Sequence, residues 1–269
     1  MSAEVKFAVL MTHGSPGPIR ILGELARHGF APHTAYILKP DWKANLRRVR
    51  RKLLTAGLLQ TIGRIGQIWR KDGAKGADAS SSIDIDPLSG VRVIQVGRFD
   101  SEAMLDDARG EGFDVFLAMT DEILRRKTFS IPRMGTLNAH PARNPEYRGL
   151  SALERMLRDG EPPEITLHLI DEGIDTGPIL KGFPVTSRIV ADGHIDDEQV
   201  SLFQARAFIY GLQMASRGSW TFEDRFARPS NMSRALSAKQ IRDLLLTYED
   251  SVKHPPYFAN RHHDTPDLR

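Results

Sequence analysis

Residues 134–180 read MGTLNAHPARNPEYRGLSALERMLRDGEPPEITLHLIDEGIDTGPIL. Asn138-Ala139-His140 closes one short apolar run, and Asp175-Thr176-Gly177-Pro178 follows another. In a strand, side chains two positions apart share a face. Asn138 and His140 therefore aim the same way from a strand end, and Thr166 and His168 share a face of the next run. An amide donor, an imidazole and a carboxylate brought together can hold an oxyanion and move a proton.

Working outward, short apolar runs alternate with stretches of helical spacing. Strands are expected at Val5–Thr12, His33–Leu38, Val91–Val96, Val115–Met119, Gly135–Ala139 and Ile165–Ile170, with Ile179–Val185 as one more. Helices are expected at Ile19–His28, stopped by Gly29, and at Ser101–Arg109, Thr120–Arg126 and Leu150–Arg158. Two more follow at Asp196–Met214 and at Ala238–Tyr248, the last capped by Ser237. This alternation predicts an α/β fold: a Rossmann-like, mostly parallel sheet with helices on both faces, plus a C-terminal helical extension. We divide the chain into a catalytic domain, 1–190, and a helical extension with its tail, 191–269. Ligands of such sheets sit beyond the carboxyl ends of the strands, the edge that carries Asn138, His140 and the Asp175 loop.

The chain has 269 residues, 41% hydrophobic and 26% charged, an ordinary globular mixture with room for a real core. A net charge of +3 does not mark the whole molecule as a nucleic-acid binder, and no nucleic-acid partner is expected. The absence of cysteine excludes disulfides, thiolate metal sites and a cysteine nucleophile. Neither a GxSxG elbow nor an HExxH motif is present, so serine-hydrolase and zinc-protease readings fail and no metal is expected. The apolar run near the N-terminus is too short for a membrane span and lacks a signal-peptide pattern, so a cytoplasmic protein is expected.

Two stretches stay open. His13-Gly14-Ser15-Pro16-Gly17-Pro18 joins a strand to a helix. It suits a phosphate at a helix start or serves as a plain tight turn, since GxGxxG is absent. Between residues 42 and 71, Lys43, Arg47, Arg48, Arg50, Arg51 and Lys52 precede an apolar face formed by Leu53, Leu54, Leu58, Leu59, Ile62, Ile65, Ile68 and Trp69. This reads as one or two amphipathic helices, with the charges a solvated rim, or a patch for a phosphorylated substrate, a partner or an anionic membrane surface.

Leu137-Asn138-Ala139-His140-Pro141, Tyr147-Arg148-Gly149, Thr166-Leu167-His168 and Asp175-Thr176-Gly177-Pro178-Ile179-Leu180, in this order and spacing, resemble the 10-formyltetrahydrofolate-dependent formyltransferases. Members of that family formylate glycinamide ribonucleotide, methionyl-tRNA or amino sugars, or hydrolyse the folate. The resemblance is strong over Val115–Leu180 and fainter over Val5–Gly110. It implies that Asn138, His140 and Asp175 are the catalytic trio and that 10-formyltetrahydrofolate is the co-substrate. It places the pterin pocket in Asp121-Glu122-Ile123-Leu124 and in the loop before Asp175, with Glu122, Ile123, Leu124, Asp171, Gly173 and Ile174 as candidate contacts. Gly14, Ser15 and Arg148 are candidate acceptor contacts, and His168 either borders the site or packs. The family usually continues after His-Pro with Ser-Leu-Leu-Pro, whereas this chain has Ala142-Arg143-Asn144-Pro145, on the acceptor side.

The expected activity is transfer of formyl to a primary amine of a small molecule, with an amino sugar carried on a nucleotide preferred. Methionyl-tRNA is less favoured, because residues beyond Arg217 read as helix and tail rather than as the β-barrel such enzymes carry. Hydrolysis of 10-formyltetrahydrofolate would use the same trio; its enzymes often carry a regulatory domain for which no room is seen before Val5. A non-catalytic binding module is the third alternative, and the intact trio argues against it.

Overall fold

The computed structural model describes residues 4–39, 87–225 and 236–253. The basic segment 42–71, most of the loop 72–90 and the tail after Lys253 lie outside the described residues. The strands are β1 (Phe7–Thr12), β2 (Thr34–Leu38), β3 (Arg92–Val96), β4 (Val115–Met119), β5 (Thr136–His140), β6 (Glu164–Leu169) and β7 (Ile179–Pro184). They form one sheet in the order β3-β2-β1-β4-β5-β6-β7. The pairings from β3 to β5 are parallel, and β6 and β7 turn the far edge antiparallel.

The helices are α1 (Pro16–Arg27), α2 (Glu102–Glu111), α3 (Arg126–Phe129), α4 (Ala152–Arg158), α5 (Asp197–Ala215) and α6 (Ala238–Lys253). Strand alternation divides the core. Phe7, Val9, Met11, Leu117, Leu137, Ala139 and Leu167 face the side that holds Ile21, Leu22 and Leu25 of α1 and Phe208 and Leu212 of α5. Ala8, Leu10, Tyr36 and Phe116 face Met104, Leu105 and Ala108 of α2. Each fully buried large apolar side chain contributes roughly 1.5–3 kcal/mol. Among the described residues no helix is long and apolar enough to cross a membrane.

The expectations hold for most elements and fail at four places. α1 begins at Pro16 rather than Ile19, with Pro at the first helical positions, where its missing N–H breaks no helical bond. Thr120–Arg125 is not helical: Thr120 Oγ1 bonds Thr12 Oγ1 at 2.9 Å and accepts the Glu122 amide at 3.2 Å. Such local hydroxyl bonds compete with a helix. α4 starts at Ala152 rather than Leu150 because Ser151 stands at φ 53°, outside the helical region. The hairpin β8 (Val190–Ala191) and β9 (His194–Ile195) was not expected. Its strands are too short to show a period, although Asp192-Gly193, both at positive φ, is a strong hairpin turn signal.

β4 leaves β1 on the side opposite β2, which creates a crevice at the carboxyl ends of β1 and β4. The Thr12–Thr120 bond spans it, and β5 lies next in the sheet. α5 presses on β5 and β6 so closely that a Cβ at Gly211 would stand 2.6 Å from Leu137 Cδ1 and 3.2 Å from Leu167 Cδ2. Gly211→Val should therefore cost about 1–3 kcal/mol, read as a lowered urea midpoint. An unchanged midpoint would show that α5 does not rest on β5 at this glycine.

Candidate active site

β5 carries Leu137 and Ala139 into the core, which turns Asn138 and His140 to the other face. The antiparallel register sets His168 opposite Asn138 and Thr166 opposite His140. Asp175 arrives on the β6–β7 connection. Its Oδ2 lies 3.5 Å from His140 Nδ1, and its Oδ1 lies 3.7 Å from His168 Nε2 and 3.4 Å from Asn138 Nδ2, which donates. Gly149 N–H donates to Asp175 Oδ2 at 2.9 Å.

The ring bonds fix the tautomers. His140 Nε2–H donates to the Tyr147 carbonyl at 2.9 Å, so the neutral ring turns a bare Nδ1 toward Asp175 and can take a proton there. His168 Nδ1–H donates to the Leu169 carbonyl at 2.8 Å, which leaves Nε2 to accept from Asn138 Nδ2 at 3.3 Å. His140 is 6% exposed and His168 1%. Burial pushes both imidazoles below their ordinary value of 6.5, while Asp175 pulls both up. His168 thus borders the cluster, one of the two outcomes left open by the sequence.

The loop before Asp175 is built by its own side chains. Asp171 Oδ1 accepts from Gly173 N–H at 3.0 Å and from Thr176 Oγ1 at 2.6 Å, so this carboxylate shapes the turn. A Cβ on Gly173 would stand 2.0 Å from Thr176 Oγ1, and one on Gly177 would stand 1.8 Å from the Leu169 carbonyl oxygen. Arg126 meets Glu172 at 2.9 Å, tying this loop to the end of the 121–125 connection. Leu124 is buried, whereas Ile123 at 77% and Ile174 at 44% exposed offer apolar surface on the two loops. Glu122 is half-buried.

Gly14, at φ 74°, and Ser15, the residue before α1, sit at the end of β1. Arg148 is half-buried in the loop that carries Gly149. In the loop after His140, Arg143 pairs with Glu161 at 2.9 Å, and Asn144 is buried, its main-chain N–H donating to Thr166 Oγ1 and its main-chain carbonyl accepting from Arg225. Sequence reasoning missed Gly149 as the donor to Asp175; its signal was the Tyr-Arg-Gly motif. It also missed Arg155, which carried no local signal.

Residues 91–192 match a family described as "Formyl transferase". This part of the chain is similar to the formyl transferases. Among curated relatives, the methionyl-tRNA formyltransferase of Chloroflexus aurantiacus is 35% identical over 133 residues, 47% of this chain and 39% of that protein. That of Kosmotoga olearia is 36% identical over 81 residues, 26% of each chain. The matched stretches thus span well under half the length of these relatives. Among solved structures, glycinamide ribonucleotide transformylase 1 of Symbiobacterium toebii superposes with a TM-score of 0.51 at 18% identity, over 80% of this chain and 88% of that one. A 4-N formyltransferase of Francisella tularensis gives 0.51 at 14%, over 94% and 90%. These two are likenesses of fold. The matched formyl transferase segment runs from β3 through the β8–β9 turn, and all of Asn138, His140, His168 and Asp175 lie within it.

The two depressed imidazoles set a pH dependence of stability. Below about 6.5 the unfolded chain binds protons that the folded His140 and His168 refuse. Their contribution is complete above that value and is lost as pH falls through the window below it. Urea midpoints measured from about pH 8 to pH 5 should therefore fall on the acid side, and His168→Gln should flatten part of the fall. A midpoint that did not move would show that the rings are open to water.

Proposed function

We propose that this protein moves a formyl group from 10-formyltetrahydrofolate to a primary amine of a small-molecule acceptor, with Asn138, His140 and Asp175 as its catalytic residues. The observation that carries this reading is the convergence of the Asn138 amide, two imidazoles and one carboxylate at the end of β5. The folate supplies an activated formyl carbon. Fit to it is supported by exposed Ile123 and Ile174 on loops tied by Arg126 and Glu172.

When an amine attacks a formyl carbon, charge grows on the oxygen. The Asn138 amide can turn a donor to that oxygen, an interaction worth roughly 3–4 kcal/mol. His140 spends its Nε2–H on the Tyr147 carbonyl and keeps a bare Nδ1 at 3.5 Å from Asp175 Oδ2. In this reading His140 takes the attacking amine's proton at Nδ1, where Asp175 stabilises the imidazolium, and the proton passes on to the folate nitrogen as its bond to the formyl carbon breaks. Asp171 and Gly173 then hold the loop, while Glu122, Ile123, Leu124 and Ile174 border the folate. Gly14, Ser15 and Arg148 border the acceptor.

A phosphorylated acceptor, such as an amino sugar on a nucleotide, is supported by the basic run Lys43–Lys52 in the sequence. A methionyl-tRNA acceptor is a second reading, favoured by the 35% and 36% identities to such enzymes. The boundary proposed at residue 190 lies near the end of the matched segment 91–192, and α5 beyond it packs on the sheet.

Asn138→Ala, His140→Ala and Asp175→Ala should each lower turnover by roughly a hundredfold or more, with the far-UV spectrum unchanged. Near-native turnover in a folded His140→Ala protein would sink the trio. A stable folate analogue should raise the melting temperature by mass action, and its absence of effect at saturation would count against folate. Parallel assays with nucleotide-linked amino sugars and with charged methionyl-tRNA decide the acceptor.

A further inference from the structure

Arg155, on α4, is 1% exposed, the largest fully buried side chain among the described residues. A guanidinium in a core is costly to desolvate unless hydrogen bonds compensate. Burial pushes its pKa down, and Arg158 adds to this, while Asp159, Glu154 and Tyr147 oppose it. Its bonds lead to the site. Nη2 donates to the Arg148 carbonyl at 2.5 Å, and Nε donates to the Ser151 carbonyl at 3.3 Å. These carbonyls lie on either side of Gly149.

The Arg148 carbonyl and the Gly149 N–H belong to one peptide unit, which is planar. Arg155 grips one end of that plane, and Asp175 Oδ2 accepts from the other end at 2.9 Å. A peptide that accepts a charge-assisted bond at its oxygen is also polarised into a stronger donor at its nitrogen. The loop needs an outside hold, because Gly149 at φ 77° and Ser151 at φ 53° are both left-handed. For serine this is a strained conformation. A planar fork spans two carbonyls where an ammonium reaches one.

We propose that Arg155 is a positioning residue: by holding the Arg148 and Ser151 carbonyls it fixes the Arg148–Gly149 peptide plane, and that plane orients Asp175 against His140 and Asn138. The inference rests on the reading of Asp175 as a catalytic group, yet its first test needs no substrate. In the full-length Arg155→Met protein, hydrogen exchange at the Gly149 amide should speed up roughly tenfold or more, while the Leu117 and Leu167 amides keep their protection. Turnover of formyl transfer should fall roughly tenfold, with the KM for folate little changed. Arg155→Lys should give a smaller rise in Gly149 exchange and carries the test if the methionine variant fails to fold. Unchanged Gly149 exchange in either variant overturns the proposal. So does a loss of protection shared evenly by the core amides, which would mark a purely structural role. If the native protein formylates none of the acceptors tried, the reading of function fails while the Gly149 exchange still decides the relay.

Discussion

The hydrogen bond from Gly149 N–H to Asp175 Oδ2 joins the loop after His140 to the loop between β6 and β7. Asp175 stands at φ 53°, a conformation that L residues adopt at a cost. It is kept there from both ends. On the chain side, Asp171 closes a turn over Gly173 and Thr176, and Gly177 lies against the Leu169 carbonyl with no room for a side chain. On the partner side, the Gly149 amide holds one carboxylate oxygen and leaves the other beside Asn138 and His168. The position of Asp175 beside Asn138 and His168 is thus set largely by main-chain geometry.

The two imidazoles play different parts in this frame. His168 spends its N–H on the Leu169 carbonyl and offers its lone pair to Asn138, which orients the amide. His140 spends its N–H on the Tyr147 carbonyl and faces Asp175 with the nitrogen that can gain a proton. Burial favours the neutral ring, and the carboxylate favours the charged one. A group balanced between opposing pressures of this kind changes its proton affinity with small changes in its surroundings. Loss of water around His140 weakens its charged form, whereas tighter contact with Asp175 strengthens it.

The sequence made the sheet legible because buried parallel strands leave nearly unbroken apolar runs, as in Val115–Met119. It made Asn138 and His140 legible because a period of two is a local property. Pairing across the sheet is not local, and so His168 remained undecided between border and core until its register with Asn138 was in view. The expected helix over Thr120–Arg126 failed for a related reason. Thr120 is anchored by Thr12, 108 residues away, in a position where its hydroxyl also accepts the Glu122 amide. Arg155 lay within the expected helix Leu150–Arg158 with no role assigned, since nothing in its neighbours shows that a left-handed Ser151 turns carbonyls toward it.

The loop after His140 obeys a further constraint. A leucine at position 143 would need only apolar cover, but an arginine needs a partner, and the main chain of Asn144 is held as well. Glu161 supplies one to Arg143. Arg225, from the segment after α5, reaches both the Asn144 carbonyl and Glu164, which it meets at 2.6 Å. Arg225 lies outside the matched formyl transferase segment. Half-buried ion pairs add little net stability, yet removing one partner strands the other, so they act chiefly to fix geometry. Tyr147 and Gly149, which hold His140 and Asp175, stand a few residues farther along the same loop. The ion pairs of Arg143 and Arg225 and the backbone that holds His140 and Asp175 therefore meet in one loop, so that a change in those charges bears on both side chains.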